Sequence, residues 1–159
     1  LCAKFRKGHF EGVLDVMNRL TKIINPQKIF MGEKDFQQLY LVKNFLKKKY
    51  KTKIIPCKTI RDKNKIALSS RNILLSSINY ILAGKIYSEL INIKKRIYRK
   101  KNIFEFLKYQ KKQLEINLKV KIDYLEFRNI KNFKLSRKNK NSRLFIAYYL
   151  NNVRLIDNL

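Results

Sequence analysis

Two short segments of the chain combine residue types that suit a phosphate-binding site. The first, Gly32-Glu33-Lys34-Asp35, follows a short apolar run and precedes an amphipathic pattern. A glycine between a buried strand and a helix places backbone N–H groups and the positive end of the helix dipole at a sheet edge, where phosphate binds. Lys34 adds a charge that can reach phosphate oxygens, and Asp35 suits a ligand hydroxyl or amino group. Taken alone, the tetrapeptide fits an ordinary first helical turn at least as well.

The second segment, Leu68-Ser69-Ser70-Arg71, lies where the composition of the chain changes. Two small hydroxyl donors beside a guanidinium match a polyphosphate whose charge shifts during a reaction. A loop at such a junction could also close over a ligand. Taken alone, this segment also fits a loop that caps a helix.

The elements around the first segment alternate between helix and strand. A helix that ends at Asn25-Pro26 is predicted by apolar residues at helical spacing, namely Val13, Val16, Met17, Leu20, Ile23 and Ile24. Buried strands are predicted at residues 29–31 and 53–57, with a helix between them. This order is half of an α/β unit with parallel strands, and because parallel sheets are buried on both faces, more strands are expected.

The second half of the chain predicts two helices followed by a small sheet. Ser76 or Ser77 can cap a long helix, whose inward stripe is Ile78, Ile81, Leu82, Ile86, Leu90, Ile93 and Ile97. The next helix points Ile103, Phe104, Leu107, Leu114 and Leu118 inward. Strands at 122–127, 144–150 and 153–156 form an antiparallel sheet, with a hairpin turn at Asn151-Asn152 because Asn tolerates positive φ.

Composition narrows the class of protein. The chain has 38 Lys and Arg against 11 Asp and Glu, a net charge of +27, so a nucleic-acid partner has to be considered. The basic residues are spread along the chain and accompany Ile, Asn, Tyr and Phe, as a genome rich in A and T would produce. The alternative function is therefore a basic nucleic-acid-binding module that reuses a degraded enzyme scaffold.

Cys2 and Cys57 fit neither a disulfide framework nor a metal site. The absence of a long apolar run predicts a cytoplasmic protein without a membrane segment.

Four stretches resemble the pantothenate synthetase family, in order and at matching separations. They are RKGHFEGV at residues 6–13, FMGEKDFQQL at 30–39, IALSSRN at 66–72 and RLIDN at 154–158. The family is similar to class I aminoacyl-tRNA synthetases. The resemblance implies an α/β fold, in which the C-terminal half of a Rossmann-like nucleotidyltransferase domain (residues 1–66) precedes a small α+β domain (residues 67–159) of two helices and a three-stranded antiparallel sheet.

The resemblance also implies a reaction and a set of site residues. ATP, with Mg²⁺, would activate pantoate as an adenylate that β-alanine then attacks, in a protein that forms a homodimer. No catalytic residue in the strict sense and no metal ligand is expected in these residues, but Lys34, Ser70 and Arg71 would stabilise charge. The ATP contacts would be Gly32, Glu33, Lys34, Asp35, Ile60, Leu68, Ser69, Ser70 and Arg71.

Pantoate is expected to contact Gln38, which shares a helix face with Lys34 if one helix spans both. Val16 and Met17 would form an apolar wall near pantoate. His9, the single histidine of the chain, either organises a loop or lies beside the substrate, and the sequence leaves both roles open.

The chain departs from the family pattern at several places. Lys7 replaces a proline, Asn64-Lys65 replaces an Asp-Gly pair, and Asn151 replaces a glycine. The His-x-Gly-His signature of the family is absent, and the chain begins with Leu. The chain is therefore expected to be a C-terminal part that binds ATP weakly and does not catalyse the reaction alone. The sequence leaves open whether the other half is lost from the protein or lies upstream of residue 1.

Overall fold

The computed structural model describes residues 8–138 and 140–159. The chain divides into two compact units, the first ending at Thr59 and the second beginning at Ile60. The sequence predicts a domain boundary after residue 66, and in the structure residues 60–66 belong to the second compact unit. Three residues discussed above, Cys2, Arg6 and Lys7, lie outside the described residues.

The first unit contains two helices and a two-stranded parallel sheet. Its elements are α1 (His9–Ile24), β1 (Lys28–Gly32), a 3₁₀ turn (Glu33–Asp35), α2 (Phe36–Leu46) and β2 (Lys53–Cys57). The strands pair in register from Lys28 opposite Lys53 to Gly32 opposite Cys57. The predicted parallel arrangement is confirmed, and α2 supplies most of the core, with Leu39, Val42 and Leu46 buried against Ile54.

Helix α1 packs against this core with only part of the apolar surface that its periodicity predicts. Phe10 is 8% exposed and Thr21 only 1%, whereas Ile23 is 79% exposed. The buried stripe runs through Phe10, Leu14, Met17 and Thr21 at helical spacing. Thr21 is tolerated there because its hydroxyl donates to the Met17 carbonyl at 2.6 Å. Of the apolar residues that predicted this helix, Val13 and Met17 pack against the core, whereas Val16, Leu20, Ile23 and Ile24 are exposed.

The second unit contains the predicted pair of helices and three-stranded antiparallel sheet. Its elements are a 3₁₀ helix (Ser70–Leu74), α3 (Ser77–Ile97), α4 (Ile103–Leu118), β3 (Lys121–Asn129), β4 (Ser142–Leu150) and β5 (Val153–Asn158). The strand order is β3-β4-β5, with β4 in the centre. Asn151 takes a φ of 51° in the β4–β5 turn, as the sequence predicted. The α/β fold class is thus confirmed.

The core of the second unit lies between both helices and the sheet. Helix α3 contributes Ala83, Ile86, Leu90, Ile93 and Ile97, at the spacing of one narrow helical stripe. Two residues predicted to point inward, Ile78 and Ile81, lie off that stripe and are 78% and 56% exposed. In α4, Phe104 is likewise 60% exposed.

Among the described residues, no helix combines the length and hydropathy needed to cross a bilayer.

The start of α3 depends on a side-chain cap. The Ser76 hydroxyl accepts a hydrogen bond from the Asn79 N–H at 3.3 Å, as the sequence predicted for Ser76. We expect Ser76→Ala to lower the free energy of unfolding by about 1 kcal/mol, because one N-terminal N–H loses its acceptor. Urea unfolding followed by circular dichroism measures the change.

Ser88→Ala is the matched control for Ser76→Ala. Ser88 is exposed in the interior of α3, where its hydroxyl donates to the Gly84 carbonyl. Alanine at an interior helical position is expected to be neutral or slightly stabilising. Equal destabilisation by both substitutions would contradict a capping role for Ser76.

Candidate functional site

The first candidate segment sits at the carboxyl end of β1. Gly32 closes the strand with extended backbone angles, φ −67° and ψ 135°, and the 3₁₀ turn of Glu33–Asp35 leads into α2. A Cβ on Gly32 would meet none of the described heavy atoms within 4 Å. The backbone therefore does not require glycine at this position. Because Gly32 has no side chain, the space beside the turn and the amino end of α2 is open.

Lys34 lies in this turn beside a carboxylate. Its Nζ is 3.4 Å from Asp35 Oδ2, and the two side chains are 22% and 49% exposed. Ion pairs at this level of exposure typically contribute about 0–1 kcal/mol. Little free energy is therefore lost when Lys34 exchanges the Asp35 carboxylate for a more highly charged polyphosphate. The 3₁₀ turn also holds its ammonium close to the amino end of α2, where an anion would bind.

Gln38 lies in the first turns of α2 and is half-buried. The sequence treated Lys34 and Gln38 as members of one helix, but Lys34 belongs to the 3₁₀ turn and α-helical spacing begins only at Phe36. The preceding residue, Gln37, has a buried Oε1 that lacks a hydrogen-bond donor among the described residues. Gln37 is a second polar candidate that the sequence did not separate from Gln38, because two adjacent glutamines carry no distinguishing signal.

The three candidates on α1 have different surroundings. His9 is the first residue of the helix, and its ring lies 5.1 Å from that of Phe10. Met17 packs against the core of the first unit, whereas Val16 is 53% exposed. Because successive helical residues point about 100° apart, Val16 and Met17 face different directions. Of the three, Met17 is the residue that packs against the hydrophobic core of the first unit.

The second segment is preceded by a small hairpin at residues 60–68. The Leu68 N–H donates to the Ile60 carbonyl, and the Asp62 N–H donates to the Ile66 carbonyl, each at 3.0 Å. The Asp62 carboxylate also accepts from the Ile66 N–H at 3.0 Å and from the Tyr80 hydroxyl at 2.7 Å. This last hydrogen bond raises the pKa of Tyr80. Through Asp62 the hairpin is fastened to α3, while the Ile60 side chain is 71% exposed.

The turn of the 60–68 hairpin contains a residue with a strained backbone conformation. Lys65 has a φ of 66°, in the left-handed region that favours glycine. The resemblance placed a glycine there, so the lysine has kept the backbone conformation without the residue that adopts it most easily. Gly84 of α3 accommodates the same turn, because a Cβ there would lie 2.9 Å from the Asn64 carbonyl oxygen.

A buried ion pair joins the hairpin to β5. The Arg61 guanidinium donates two hydrogen bonds to Asp157, at 2.7 and 2.8 Å, and the two side chains are only 15% and 9% exposed. The Arg61 guanidinium also donates to the Lys65 carbonyl at 3.0 Å and lies 4.2 Å from the centre of the Tyr87 ring. Such a bidentate geometry satisfies both charges at once.

The electrostatics of this pair keep its neighbours in defined states. Burial lowers the pKa of Arg61, but the hydrogen bond and negative charge of Asp157 outweigh it, so the pKa is raised. Tyr148 lies close to this pair. Its burial, and to a smaller extent the negative charge of Asp157, raise the pKa of its phenol. Arg61 therefore stays charged and Tyr148 stays neutral throughout the physiological range. Neither Arg61 nor Asp157 was assigned a role from the sequence, because 96 positions separate them.

The serine segment itself combines a capping residue with two exposed polar groups. Ser69 has extended backbone angles and caps the 3₁₀ helix, its Oγ accepting from the Arg71 N–H at 3.3 Å. Ser70 and Arg71 are exposed, and the Arg71 guanidinium donates to the Arg154 carbonyl of β5 at 3.0 Å. A single hydrogen bond to a neutral carbonyl holds Arg71 near β5 and leaves its other donors available to an anion.

Asn72 follows directly and adds an acceptor that the sequence did not assign. Its Nδ2 donates to the Ala67 carbonyl at 3.1 Å, which fixes the side chain against the hairpin. Its Oδ1 is buried and has no hydrogen-bond donor among the described residues. A buried acceptor without a donor is unusual in folded proteins, so Asn72 is a candidate to accept from a ligand. Leu68 is 52% exposed at the other end of the segment.

Each of the two segments carries donors suited to negative charge. The first offers Lys34 and the amino end of α2, and the second offers Arg71 with the Ser70 hydroxyl. Residues 8–138 and 140–159 contain no group of three or more His, Cys, Asp or Glu side chains arranged to hold a metal ion. Lys34 and Arg71 are therefore the candidates for recognition of negative charge, each within its own unit.

Comparison with known proteins gives the same family along the whole chain. The family model described as pantoate-beta-alanine ligase matches residues 1–159. Pantothenate synthetase of Flavobacterium psychrophilum is 39% identical over 98% of this chain, which covers 56% of that protein. Pantothenate synthetase of Helicobacter acinonychis is 38% identical over 97% of this chain, which again covers 56% of that protein. The chain spans a little over half the length of these relatives.

Two solved structures have the same fold. Pantothenate synthetase of Thermus thermophilus matches with a TM-score of 0.90 at 28% identity, covering 100% of this chain and 58% of its own. Pantoate-beta-alanine ligase of Francisella tularensis, solved in complex with beta-gamma ATP and beta-alanine, matches with a TM-score of 0.76 at 36% identity. That alignment covers 100% of this chain and 53% of the Francisella protein.

The left-handed turn predicts that Lys65→Gly stabilises the protein. A side chain in this conformation costs roughly 1–2 kcal/mol, which exceeds the extra unfolded-state entropy of glycine, about 0.5–1 kcal/mol. We expect the free energy of unfolding to rise by about 0.5–1 kcal/mol in urea titrations. Lys63→Gly, in the same turn but without positive φ, should be destabilising, and stabilisation by both variants would contradict the role of strain.

The buried ion pair predicts a large cost for removing one charge. Asp157→Asn leaves the Arg61 cation buried without its counter-charge, so the free energy of unfolding should fall by about 3–5 kcal/mol. Asp15→Asn is the matched control, since the Arg19–Asp15 pair is 73% and 56% exposed and should contribute less than about 1 kcal/mol. Urea unfolding of both variants gives the comparison. Similar small losses would show that the Arg61–Asp157 pair is not needed to hold the hairpin.

Proposed function

We propose, because this chain belongs to the pantoate-beta-alanine ligase family, that the complete protein condenses pantoate with β-alanine at the expense of ATP. The observation that carries the proposal is the match of the family model to all of residues 1–159, which includes both candidate segments. The Francisella ligase solved with beta-gamma ATP and beta-alanine supports nucleotide and amine binding by the same fold. Lys34 in the first segment and Arg71 in the second are suited to the negative charge of the nucleotide.

In the proposed first step, a pantoate carboxylate oxygen attacks the α-phosphorus of ATP. A new P–O bond forms, the bond between the α-phosphorus and the bridging oxygen breaks, and pyrophosphate leaves with the electron pair. Gln38 would hydrogen-bond to pantoate. Lys34, Ser70 and Arg71 would stabilise the charge that accumulates on the departing pyrophosphate, since donors placed where charge develops lower the barrier. Ile60 would lie at the adenine side.

In the proposed second step, the neutral amine of β-alanine attacks the acyl carbon of pantoyl adenylate. The amide C–N bond forms, the acyl C–O bond to AMP breaks, and the amine loses a proton. AMP is released together with pantothenate. Magnesium would enter as part of the MgATP substrate. Gly32, Glu33 and Asp35 would line the nucleotide side of the first unit, and Leu68 and Ser69 would do so in the second.

Two further features of the proposal concern the assembly. The full protein is proposed to be a homodimer in the cytoplasm. Residues 1–159 alone are proposed to bind ATP weakly and to lack turnover, because the His-x-Gly-His signature of the family is not among them. His9, Val16 and Met17 remain proposed neighbours of pantoate, with His9 either contacting substrate or organising the chain before α1.

The complete gene product is assayed for AMP release with MgATP, pantoate and β-alanine, alongside the 159-residue chain. AMP release that requires both pantoate and β-alanine supports the proposal, and a well-folded complete protein without such turnover would refute it. Turnover by the 159-residue chain alone would overturn only the proposed inactivity. The competing hypothesis of nucleic-acid binding is separated by RNA titration, because phosphate contacts give a steep loss of affinity with salt.

Arg71→Ala and Lys34→Ala are predicted to slow adenylate formation by a factor on the order of 10² to 10³, as expected for loss of one charge-stabilising donor. Single-turnover measurement of pyrophosphate release from the complete protein isolates this step. Arg99→Ala is the control and should leave the rate unchanged, since Arg99 is exposed in the turn that follows α3. Near-normal rates for Arg71→Ala and Lys34→Ala would remove both residues from the phosphate site.

A further inference from the structure

A groove in the second unit lies outside both candidate segments. It has a volume of about 420 Å³ and runs between α4 and the outer edge of β3. Phe104 and Lys108 line the helical side, Leu125 and Phe127 line the strand side, and Leu135 and Arg137 close one end. None of these residues has a place in the proposed ligase chemistry.

The strand side of the groove is an open sheet edge. Leu144 of β4 exchanges both of its backbone hydrogen bonds with Leu159, each at 3.0 Å, so its N–H and C=O point away from β3. Phe127, its partner on β3, must then direct its own backbone groups outward, and the same holds two residues earlier for Leu125, opposite Ile146. The groove thus runs along outward-facing backbone donors and acceptors.

Part of this edge is already paired by the chain itself. The Ser136 N–H donates to the Phe127 carbonyl at 2.9 Å, and the Asn129 N–H donates to the Lys134 carbonyl at 3.0 Å. The pairing ends at Ser136. Among the described residues, nothing pairs with the Leu125 N–H and C=O or with the Phe127 N–H. The edge of β3 is therefore paired with an extended segment at Phe127 and Asn129, and its backbone groups at Leu125 are available to another segment.

The charges around the groove favour an acidic occupant. Asp123 and Glu126 line it but are paired, Asp123 with Arg154 at 2.8 Å and Glu126 with Arg128. Lys108 and Arg137 are exposed and have no carboxylate partner in the described part of the chain. Phe104 and Leu135, 60% and 54% exposed, add apolar contact area. The free charge at the rim is therefore positive.

We propose that the groove between α4 and β3 binds an extended acidic peptide segment of a partner protein, which adds a strand to the open edge of β3. Backbone hydrogen bonds to the N–H and C=O of Leu125 and to the N–H of Phe127 would supply affinity without regard to side chains, as in other cases of strand addition. Apolar side chains would contact Phe104 and Leu135, and carboxylates would meet Lys108 and Arg137. This inference does not depend on the proposed ligase function.

The test uses the complete gene product and a fluorescein-labelled pentapeptide of sequence DVTVD. Anisotropy should show saturable binding, and the charge-reversed peptide KVTVK should bind at least about tenfold more weakly, since the rim is cationic. Methylation of the central backbone amide of DVTVD should abolish binding. Amide hydrogen exchange of Leu125 and Phe127 should slow by about tenfold or more when DVTVD is bound, while that of Glu126, which already faces β4, should not change.

Variants separate the groove from the general positive charge of the protein. Lys108→Glu with Arg137→Glu should weaken DVTVD binding by about tenfold, the sum of two exposed charge interactions. Lys95→Glu, an exposed residue of α3 outside the groove, should not. Absence of binding at millimolar peptide, equal binding of the methylated peptide, or equal loss with Lys95→Glu would each overturn the proposal. Self-association of the protein that protects the same two amides would overturn it in favour of a second copy as the occupant.

Discussion

The ion pair between Arg61 and Asp157 is the contact on which the architecture of the second candidate segment depends. It joins residues 96 positions apart and brings the hairpin at 60–68 onto β5. Both charges are largely removed from water, which is favourable only because the guanidinium meets the carboxylate in a bidentate geometry. The serine segment leaves this hairpin at Leu68, so its place over β5 follows from the pair, and the hydrogen bond from Arg71 to the Arg154 carbonyl continues the same attachment.

Much of the fold was predictable because local signals agreed with one another. Strand β2 occupies the predicted residues 53–57, Ser76 caps α3, and Asn151 takes positive φ in its hairpin. The burial of Thr21 on α1 was not predictable from hydrophobicity, because its hydroxyl is satisfied within the helix. Ile78 was misassigned for a related reason. A wide apolar stripe does not reveal which narrow part of it meets the core.

The candidate site was predictable only where short segments carry their own chemistry. Lys34 and Arg71 stand out through charge beside glycine or serine, and family resemblance located both. Arg61 and Asp157 have no such local signal, since each is an ordinary charged residue until the fold pairs them. Lys65 shows the converse, because the sequence revealed a missing glycine, and the structure shows that the left-handed turn persists without it.

Isotope exchange tests most directly our proposal that the two candidate segments serve the formation of an acyl adenylate. The complete protein is incubated with ATP, magnesium, labelled pyrophosphate and pantoate, with β-alanine left out. Reversible adenylation predicts that label enters ATP only when pantoate is present. Turnover of all three substrates without any pantoate-dependent exchange in the absence of β-alanine would contradict this account, because it would mean that no adenylate forms before the amine arrives.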